Sequence, residues 1–407
     1  MKHKVVLGSF FGDEGKGATV QWLCKKAIEE NKKPIVVRFS GGAQCGHRVI
    51  HNSIEHVCSS YGSGVLLNVP TYLDENVYID PISIMNECKE IYSKTGFMPT
   101  LYINGFCRVT TPFDIYSNRQ NKETLSHGSC GEGIFATFKR YNSKEALHSF
   151  YLRGYLRDIL GREQYYIEEV AKYYKMDNSI VKELNAIKEF KASIEWLKEN
   201  TTIIYAPVYY SKDLPDVITR NHLLYPYDVV IWEGSQGMLL DMDCGFMPHC
   251  TPSKTGLNGI PSKYLDNAEV FLVMRSYLTR HGNGFTPIGE DTIEYNYTNL
   301  EEPTNNDTGY QGVFKRGVFD TLLLKRLFDR HHLDNYKWHH NLKYNIVMNH
   351  LDCIKDKFHY TKDEKEIVAL KCIPQEEMAS GIKIVLKETV PFDNFYVGYE
   401  QSELSLV

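Results

Sequence analysis

The sequence lacks several features that would assign a protein to a class at once. Its ten cysteines include no C-x-x-C pair, which argues against a structural zinc site, and they are too scattered for a dense disulfide framework. No run approaches about 18 apolar residues, so we expect no membrane span and no membrane partner. The formal net charge of −5 lacks the basic excess of a dedicated nucleic-acid binder, and we expect no nucleic-acid partner.

The remaining composition is that of an ordinary globular protein, with 43% hydrophobic and 24% charged residues. A chain of 407 residues is long enough for two or three domains, although large α/β enzymes often stay single. We predict one domain over residues 1–407. No signal peptide is apparent, so we expect a soluble, cytoplasmic protein in a reducing compartment.

Strand, glycine loop and helix alternate from the start of the chain. The pattern predicts a strand at Val5–Leu7, a loop at Gly8–Gly17 and a helix at Ala18–Ile28. A second strand at 34–40 ends in another glycine loop, and 76–96 again has strand followed by helix, with Pro81 near the start of the helix. Such alternation predicts an α/β fold with a large, mostly parallel sheet flanked by helices, whose ligands bind at the carboxyl ends of the strands.

The middle of the chain has a different composition, rich in Lys, Glu and Tyr. We predict a mostly helical insertion over residues 142–226, within the single domain. Apolar residues at helical spacing predict one helix over about 178–200, capped by Asp177, Asn178 or Ser179. Residues 291–316 predict a long loop, and loops of that length are usually functional or mobile.

The first glycine loop, "GDEGKG", follows directly after a strand. Glycines there turn backbone N–H groups inward and let a phosphate approach closely, and Lys16 adds a positive charge. Asp13 has two chemically sensible roles, as a ligand of Mg²⁺ or as a proton acceptor. A tight turn with solvent-facing charges is the plainer alternative. Because Gly17 follows Lys16, the loop differs from the G-K-[ST] loop of common P-loop GTPases, which makes an unrelated GTPase a poor match.

The second glycine loop, "RFSGGAQCGHRV", ends on His47. Because His47 ends this glycine turn, we expect its imidazole to face the same crevice as Asp13. A carboxylate and an imidazole that converge on one substrate suggest a base and an acid.

Together these two loops resemble the adenylosuccinate synthetase family, whose signature is G-D-E-G-K-G followed by G-G-x-x-x-G-H. The resemblance continues in "GSCGEG" (128–133), "EGSQGMLLDMDCGFMPHCTPS" (233–253), "YLTRHGNG" (277–284), "GVFDTLLLKR" (317–326), "NHLDC" (349–353) and, more weakly, "VGYEQSEL" (397–404). In order and spacing these motifs cover most of the chain.

The resemblance implies a ligase. Members of the family phosphorylate the 6-oxygen of a purine nucleoside monophosphate from GTP, with Mg²⁺ bound, and then displace that phosphate with the amino group of L-aspartate. Phosphorylation turns a poor leaving group into a good one. The family also implies a homodimer that sends an arginine across its interface to the substrate phosphate.

The same resemblance assigns roles to the residues that match. Asp13 would take the proton from purine N1 and also bind Mg²⁺, and the carbonyl of Gly46 would complete the metal site. His47 would stabilise or protonate O6 as the γ-phosphate arrives. Lys16 and the loop amides would neutralise the phosphates. Gln236, in "EGSQG", would read the 6-oxo edge of the purine and counts with the catalytic residues.

Further residues are implied to contact nucleotides. Asp352 matches the guanine reader, because one carboxylate can accept from both N1–H and the 2-amino group. Thr251 matches a 5′-phosphate contact, and Arg140 is the candidate for the arginine that crosses the dimer. The implied nucleotide and phosphate contacts are Gly12, Glu14, Gly15, Gly17, Gly46, Ser129, Cys130, Thr251, Asp352 and Arg140.

Several positions depart from the family pattern. Ser129 and Cys130 stand where the family has two threonines, and Glu132 replaces a basic residue. Gln44 stands where the second loop has Asn. His350 replaces the Lys of the guanine motif, so ATP stays open as an alternative donor to GTP.

The largest departure lies in the loop that binds aspartate. The family carries an arginine fork suited to carboxylates, whereas "NDTGYQGVFKRGVFD" offers only Lys315 and Arg316. Three alternatives stay open: these two cations bind aspartate, Arg280 helps them, or the amino-acid substrate differs.

The acceptor nucleotide also stays open. IMP is the default acceptor, and GMP or dGMP is the rival, because the chain after Asp352 is short, as in archaeal enzymes and viral relatives that make 2-amino-adenylosuccinate. Retention of Asp13 favours ordinary N1 deprotonation without excluding guanine. A non-catalytic GTP-binding regulator is the alternative of another class, although the retained Lys16, His47 and Gln236 argue against it.

Overall fold

A computed structural model describes residues 1–121, 129–183, 185–204, 220–282, 284–286, 297, 312–362, 367–371, 375–398 and 404–407. The chain divides into two compact units. Unit 1 comprises Cys24–Val230 with Met1, and unit 2 comprises Lys2–Leu23 with Ile231–Val407. In the described part of the chain, no helix has the length and apolar character to cross a membrane.

The strands are β1 (Lys2–Gly8), β2 (Pro34–Arg38), β3 (His47–His51), β4 (Ile54–Cys58), β5 (Thr71–Leu73), β6 (Tyr78–Ile79), β7 (Leu101–Asn104), β8 (Arg108–Val109), β9 (Thr202–Ile204), β10 (Val229–Gly237), β11 (Glu269–Arg275), β12 (Leu278–His281), β13 (Phe314–Gly317), β14 (Phe319–Asp320), β15 (Lys343–Asn349), β16 (Lys357–Thr361), β17 (Ile367–Lys371), β18 (Asn394–Val397) and β19 (Ser405–Leu406).

The helices are α1 (Lys16–Glu29), α2 (Pro81–Thr95), α3 (Pro112–Gln120), α4 (Ile134–Tyr141), α5 (Lys144–His148), α6 (Phe150–Arg153), α7 (Leu156–Ile159), α8 (Glu163–Tyr173), α9 (Asn178–Glu183), α10 (Ala186–Asn200), α11 (Arg220–Leu224), α12 (Thr321–Arg330), α13 (Leu333–His340) and α14 (Gln375–Thr389).

Ten strands form one sheet in the order β19-β18-β15-β11-β1-β10-β2-β5-β7-β9. Strand β11 pairs in parallel with both β1 and β15, and β5 pairs in parallel with both β2 and β7. The edge strand β19 pairs antiparallel with β18. The prediction of a large, mostly parallel α/β sheet is confirmed.

The sheet strands of unit 2 are continuous apolar runs, as expected for parallel strands covered on both faces. Val5, Val6 and Leu7 of β1 are fully buried, and Val5 lies opposite Val270 of β11. Because β1, β11 and β15 are parallel, the segments that follow them share one edge of the sheet. That edge carries the first glycine loop and the "NHLDC" segment.

Unit 1 has its own hydrophobic core, to which strands β5 and β7 and helices α2, α8 and α10 contribute. Helix α2 begins at Pro81, as the sequence predicted, and Asp80 caps it by accepting from the N–H of Ile82 at 3.0 Å.

The helix predicted over about 178–200 is wrong as a single element. The structure has two helices there, α9 and α10, and Asn185 between them adopts φ of 43°. A residue in the left-handed conformation cannot continue an α-helix, so the helix is interrupted at this point. The described residues of 142–226 are mostly helical, with strand β9 among them; the predicted boundaries of the insertion and the single domain stay predictions. The predicted loop at 291–316 lies mostly outside the described residues.

Candidate functional site

The first glycine loop joins β1 to α1 in unit 2. Gly12, Asp13 and Gly15 have φ of 99°, 57° and 91°, and an aspartate at positive φ is uncommon. Left-handed residues in such a turn point backbone N–H groups into a concavity that suits an anion. Helix α1 begins at Lys16, so its amino end and its dipole face the same place. The backbone is therefore shaped as predicted for a phosphate-binding loop.

Two charged side chains of the loop are buried together. Lys16 and Glu14 are 3% and 2% exposed, and Lys16 Nζ lies 4.0 Å from Glu14 Oε2. Burial raises the pKa of the Glu14 carboxyl to about 7, against the lowering effects of Lys16 and of the hydrogen bond from the Phe10 N–H. A side chain at Gly8 would lie 2.6 Å from the Gln236 backbone oxygen and 2.2 Å from Glu14 Oε2, so glycine is needed there.

Gln236 lies against the loop from the end of β10. A side chain at Gly12 would contact the Gln236 backbone at 3.7 Å, and one at Gly237 would lie 2.2 Å from the Phe10 carbonyl oxygen. Gln236 has φ of 58°, and its buried Oε1 has no hydrogen-bond partner among the described residues. A buried amide oxygen without a partner is costly, and a bound ligand would relieve that cost.

The residues after β11 hold the loop backbone from another side. The guanidinium of Arg275 donates to the Asp13 carbonyl oxygen, and the hydroxyl of Thr279 donates to the Gly12 carbonyl oxygen at 3.4 Å. His281 Nε2 lies 3.5 Å from Asp13 Oδ2. Within "YLTRHGNG" only Arg280 was predicted as a site residue. Thr279 and His281 flank it at alternate positions, and that spacing was the available signal in the sequence.

A second missed residue is Asn349, the last residue of β15. Its Nδ2 donates to the Glu14 carbonyl oxygen at 2.9 Å, and a side chain at Gly15 would lie 2.4 Å from that nitrogen. Its place at a strand end, three residues before Asp352, was the only signal in the sequence.

The three cations predicted to bind aspartate differ in their surroundings. Arg280 is buried, donates to the Phe285 and His249 carbonyl oxygens at 2.7 and 3.1 Å, and lies over a phenylalanine ring. Burial lowers the pKa of Arg280 to about 10. Arg280 thus donates to two backbone carbonyl oxygens, while its buried Nε has no hydrogen-bond partner among the described residues. Its predicted contact with aspartate stays a prediction.

Lys315 and Arg316 are consecutive residues of β13, so their side chains leave opposite faces of the hairpin that β13 forms with β12. In the register, Lys315 lies opposite Arg280, and Arg316 lies opposite Thr279. The two cations therefore cannot form one carboxylate fork. Arg316 shares the face of Thr279, whose hydroxyl contacts the loop.

The remaining predicted residues of unit 2 lie in short loops. Thr251 is buried, and its hydroxyl accepts from the Ser253 N–H at 3.4 Å. Asp352 lies in the turn at Leu351–Cys353, directly after β15 and His350. Loss of hydration and the nearby Arg275 hold the pKa of the His350 ring well below its usual value. The position that holds Lys in the family pattern is therefore uncharged here.

In unit 1, the second glycine loop leads into β3, and His47 is buried at its first position. A side chain at Gly42 would lie 2.5 Å from the Tyr78 carbonyl oxygen and 2.7 Å from Ile134 of α4. The loop therefore packs against the start of the helix that follows "GSCGEG", whose Gly128 lies outside the described residues. Two predicted motifs meet here.

The "GSCGEG" motif is less basic than the corresponding motif of the family. Ser129 Oγ accepts from the amide of Asn118 at 2.9 Å, and burial raises the pKa of the Cys130 thiol to about 12, so the thiol is neutral. Burial also raises the pKa of Glu132, whose carboxylate is 3.3 Å from Arg119. This ion pair offsets part of the negative charge that Glu132 places near the predicted site of an anionic substrate.

Arg140 does not fit the role predicted for it. Its guanidinium is fully buried and forms two hydrogen bonds with Asp114, at 2.8 and 2.9 Å. It also donates to the carbonyl oxygens of Leu152 and Val109 and to the hydroxyl of Tyr166. A guanidinium held in this way by its own unit cannot reach a phosphate in a partner subunit.

Comparison with known proteins agrees with this geometry. The model of one protein family, adenylosuccinate synthetase, matches residues 5–402. The chain belongs to the adenylosuccinate synthetase family. Among its relatives, the adenylosuccinate synthetase of Histophilus somni (strain 2336) is 25% identical over 350 residues, which cover 82% of this chain and 76% of that protein.

Two solved structures share the fold of this adenylosuccinate synthetase family member. The fully ligated adenylosuccinate synthetase from Plasmodium falciparum superposes with a TM-score of 0.66 at 19% identity, over 99% of each chain. The succinoaminodeoxyadenylate synthetase of cyanophage S-2L, bound to dGMP and to dATP as an energy donor, has a TM-score of 0.61 at 14% identity, over 100% of this chain and 95% of that one. The predicted family and its C–N ligase class are confirmed.

Proposed function

We propose that the protein joins L-aspartate to C6 of a 6-oxopurine nucleoside monophosphate, through a 6-phosphoryl intermediate and with GTP as the phosphoryl donor. The observation that carries the proposal is the set of groups gathered on one loop of unit 2. Asp13, whose side chain is 31% exposed, follows Gly12, where an added side chain would contact the Gln236 backbone. The amide oxygen of Gln236 lacks a partner among the described residues. The buried amine of Lys16 lies at the amino end of α1.

The first step is phosphorylation of the purine. Asp13 takes the N1 proton, which moves negative charge onto O6, and O6 attacks the γ-phosphorus of GTP as the bond to GDP breaks. The loop amides and Lys16 neutralise the phosphate oxygens as charge moves between them. Gln236 reads the 6-oxo edge by donating a side-chain amide N–H to O6. From unit 1, His47 is the proposed group that stabilises or protonates O6.

Magnesium fits the donor set of Asp13. Hard carboxylate oxygens are the ligands that Mg²⁺ prefers, and Asp13 is partly exposed, whereas the neighbouring Glu14 is buried beside Lys16. The Asp13 carboxylate and the Gly46 carbonyl would hold the ion. When bound, it supplies positive charge at the phosphates.

The second step forms the C–N bond. The amino group of L-aspartate attacks C6, the C6–O6 bond breaks, inorganic phosphate leaves with its oxygen, and the nitrogen loses one proton to solvent. The amino acid needs a cation for its carboxylates. Of the three predicted cations, Arg316 is the best placed, because it shares the loop-facing side of the hairpin.

IMP is the default acceptor in this proposal, and GMP or dGMP is the rival. Asp352, directly after β15, is the proposed reader of guanine in GTP. Mixing the protein with GTP, Mg²⁺ and L-aspartate, and then offering IMP, GMP or dGMP in turn, should give a new ultraviolet-absorbing product with one of the three. Replacing GTP by ATP tests the donor.

If no acceptor yields product while GTP still binds, the ligase function is wrong, and a non-catalytic GTP-binding regulator takes its place. We also propose a homodimer in the cytoplasm, as the family resemblance implies. Light scattering of the purified protein tests the dimer; a monomer at working concentration contradicts it.

A further inference from the structure

We propose that His281 is a positioning residue, which holds the Asp13 carboxylate through its Nε2–H in the orientation needed to accept a proton from the substrate. This rests on the proposed role of Asp13 as the base. Nε2 lies 3.5 Å from Asp13 Oδ2, close enough for a hydrogen bond to tighten when substrate binds.

The strand β12 places His281 on the right face for this role. Side chains alternate along a strand, so Thr279 and His281 leave the same face. The Thr279 hydroxyl contacts the Gly12 carbonyl oxygen, and His281 reaches the carboxylate of the next loop residue, Asp13. Two neighbouring side chains on one face of β12 thus lie against two consecutive residues of the loop.

The ring of His281 is held in place. It packs on Phe314, the residue opposite it in β13, with ring centroids 4.6 Å apart. The side chain is only 18% exposed, and its Nδ1 is buried without a hydrogen-bond partner among the described residues. A ring fixed by packing loses little freedom when it donates a hydrogen bond, which is what positioning requires.

Asp13 needs such support because its backbone is unusual. Its φ of 57° is uncommon for a residue other than glycine, and the loop is pinned there through the Asp13 carbonyl by Arg275. Those contacts fix the backbone and leave the carboxylate free to rotate. When His281 donates a hydrogen bond to Oδ2, the other carboxylate oxygen, Oδ1, is held in the orientation in which it accepts the proton from the substrate.

Three substitutions separate positioning from packing. His281→Phe keeps the ring on Phe314 and removes the donor. His281→Gln places an amide N–H near the position of Nε2, whereas His281→Asn places it near that of Nδ1. We expect His281→Phe and His281→Asn to lower kcat roughly 10-fold to 100-fold with the KM of GTP nearly unchanged, and His281→Gln to recover most of the loss.

His340→Phe is the matched control, because His340 Nδ1 lies 2.8 Å from the carboxylate of Asp266 at the opposite edge of unit 2, near the amino ends of β11 and β15. It should leave kcat unchanged. If wild-type protein turns over and His281→Phe matches it, or His281→Gln is as slow as His281→Phe, the positioning role is wrong while the ligase function stands. If wild-type protein makes no product with any acceptor, the proposed function fails, and the role of His281 fails with it.

Discussion

Two buried ion pairs, one in each unit, show how a structural cation differs from a functional one. In unit 1, Arg140 meets Asp114 through two hydrogen bonds and gives its other N–H groups to neighbouring oxygens. In unit 2, Lys16 lies 4.0 Å from Glu14, too far for a hydrogen bond, although both side chains are almost fully buried. A fully bonded pair maintains the fold, whereas a loosely paired cation at the amino end of a helix is ready for an anion.

The largest expected effect is on the first pair. Arg140→Met leaves Asp114 buried without its partner, so we expect the free energy of unfolding to fall by roughly 3–5 kcal/mol. Denaturation by urea, followed by circular dichroism, measures this. The matched control is Arg119→Met, which breaks a partly exposed pair with Glu132 and should cost less than about 1 kcal/mol. Equal losses in the two variants would show that Arg140 is no structural cation.

Disrupting the Lys16–Glu14 pair should affect turnover more than stability. Lys16→Met removes a charge aimed at phosphate, so we expect turnover to fall roughly 10²–10³-fold. The fold should lose less than in Arg140→Met, because Glu14, whose pKa is about 7, takes up a proton readily. Steady-state kinetics and urea denaturation of the same preparation test both halves. Intact turnover with a large loss of stability would make Lys16 structural.

A buried imidazole without an anionic partner favours its neutral form, and among the described residues His350 has no such partner. The folded state keeps its ring neutral because its pKa is depressed, whereas the unfolded chain protonates it near pH 6.5. The free energy of unfolding should therefore fall as the pH drops below about 6.5, because the unfolded chain then binds a proton that the folded state does not.

His350→Gln should remove that contribution. The difference in unfolding free energy between wild type and His350→Gln, measured from pH 8 to pH 5.5, isolates it from other groups. A difference that stays constant across this range would show that His350 titrates alike in both states.

Local patterns in the sequence predicted much of the fold. The glycine loop after β1 and the start of α2 at Pro81 were predictable because each depends on a few adjacent residues. The break at Asn185 was not, since its apolar neighbours keep a helical period and only the backbone angle reveals the end of a helix.

The site was predictable in its motifs and less so in its contacts. The sequence does not show that Arg140 is a structural cation and Lys16 a functional one, because the difference lies in how many hydrogen-bond partners each side chain has in the folded chain. Likewise, β12 and β13 are more than 30 residues apart in sequence, so their pairing, and with it which of Lys315 and Arg316 shares the face of Thr279, could not be read from spacing. The sequence offers no rule for such long-range register.

The most direct test of the central claim is Asp13→Asn, assayed with the acceptor that wild-type protein uses. The amide has nearly the same shape but cannot take the N1 proton, so we predict that turnover is abolished while the affinity for GTP falls only modestly. Product formation at the wild-type rate would contradict the role of Asp13 as the base.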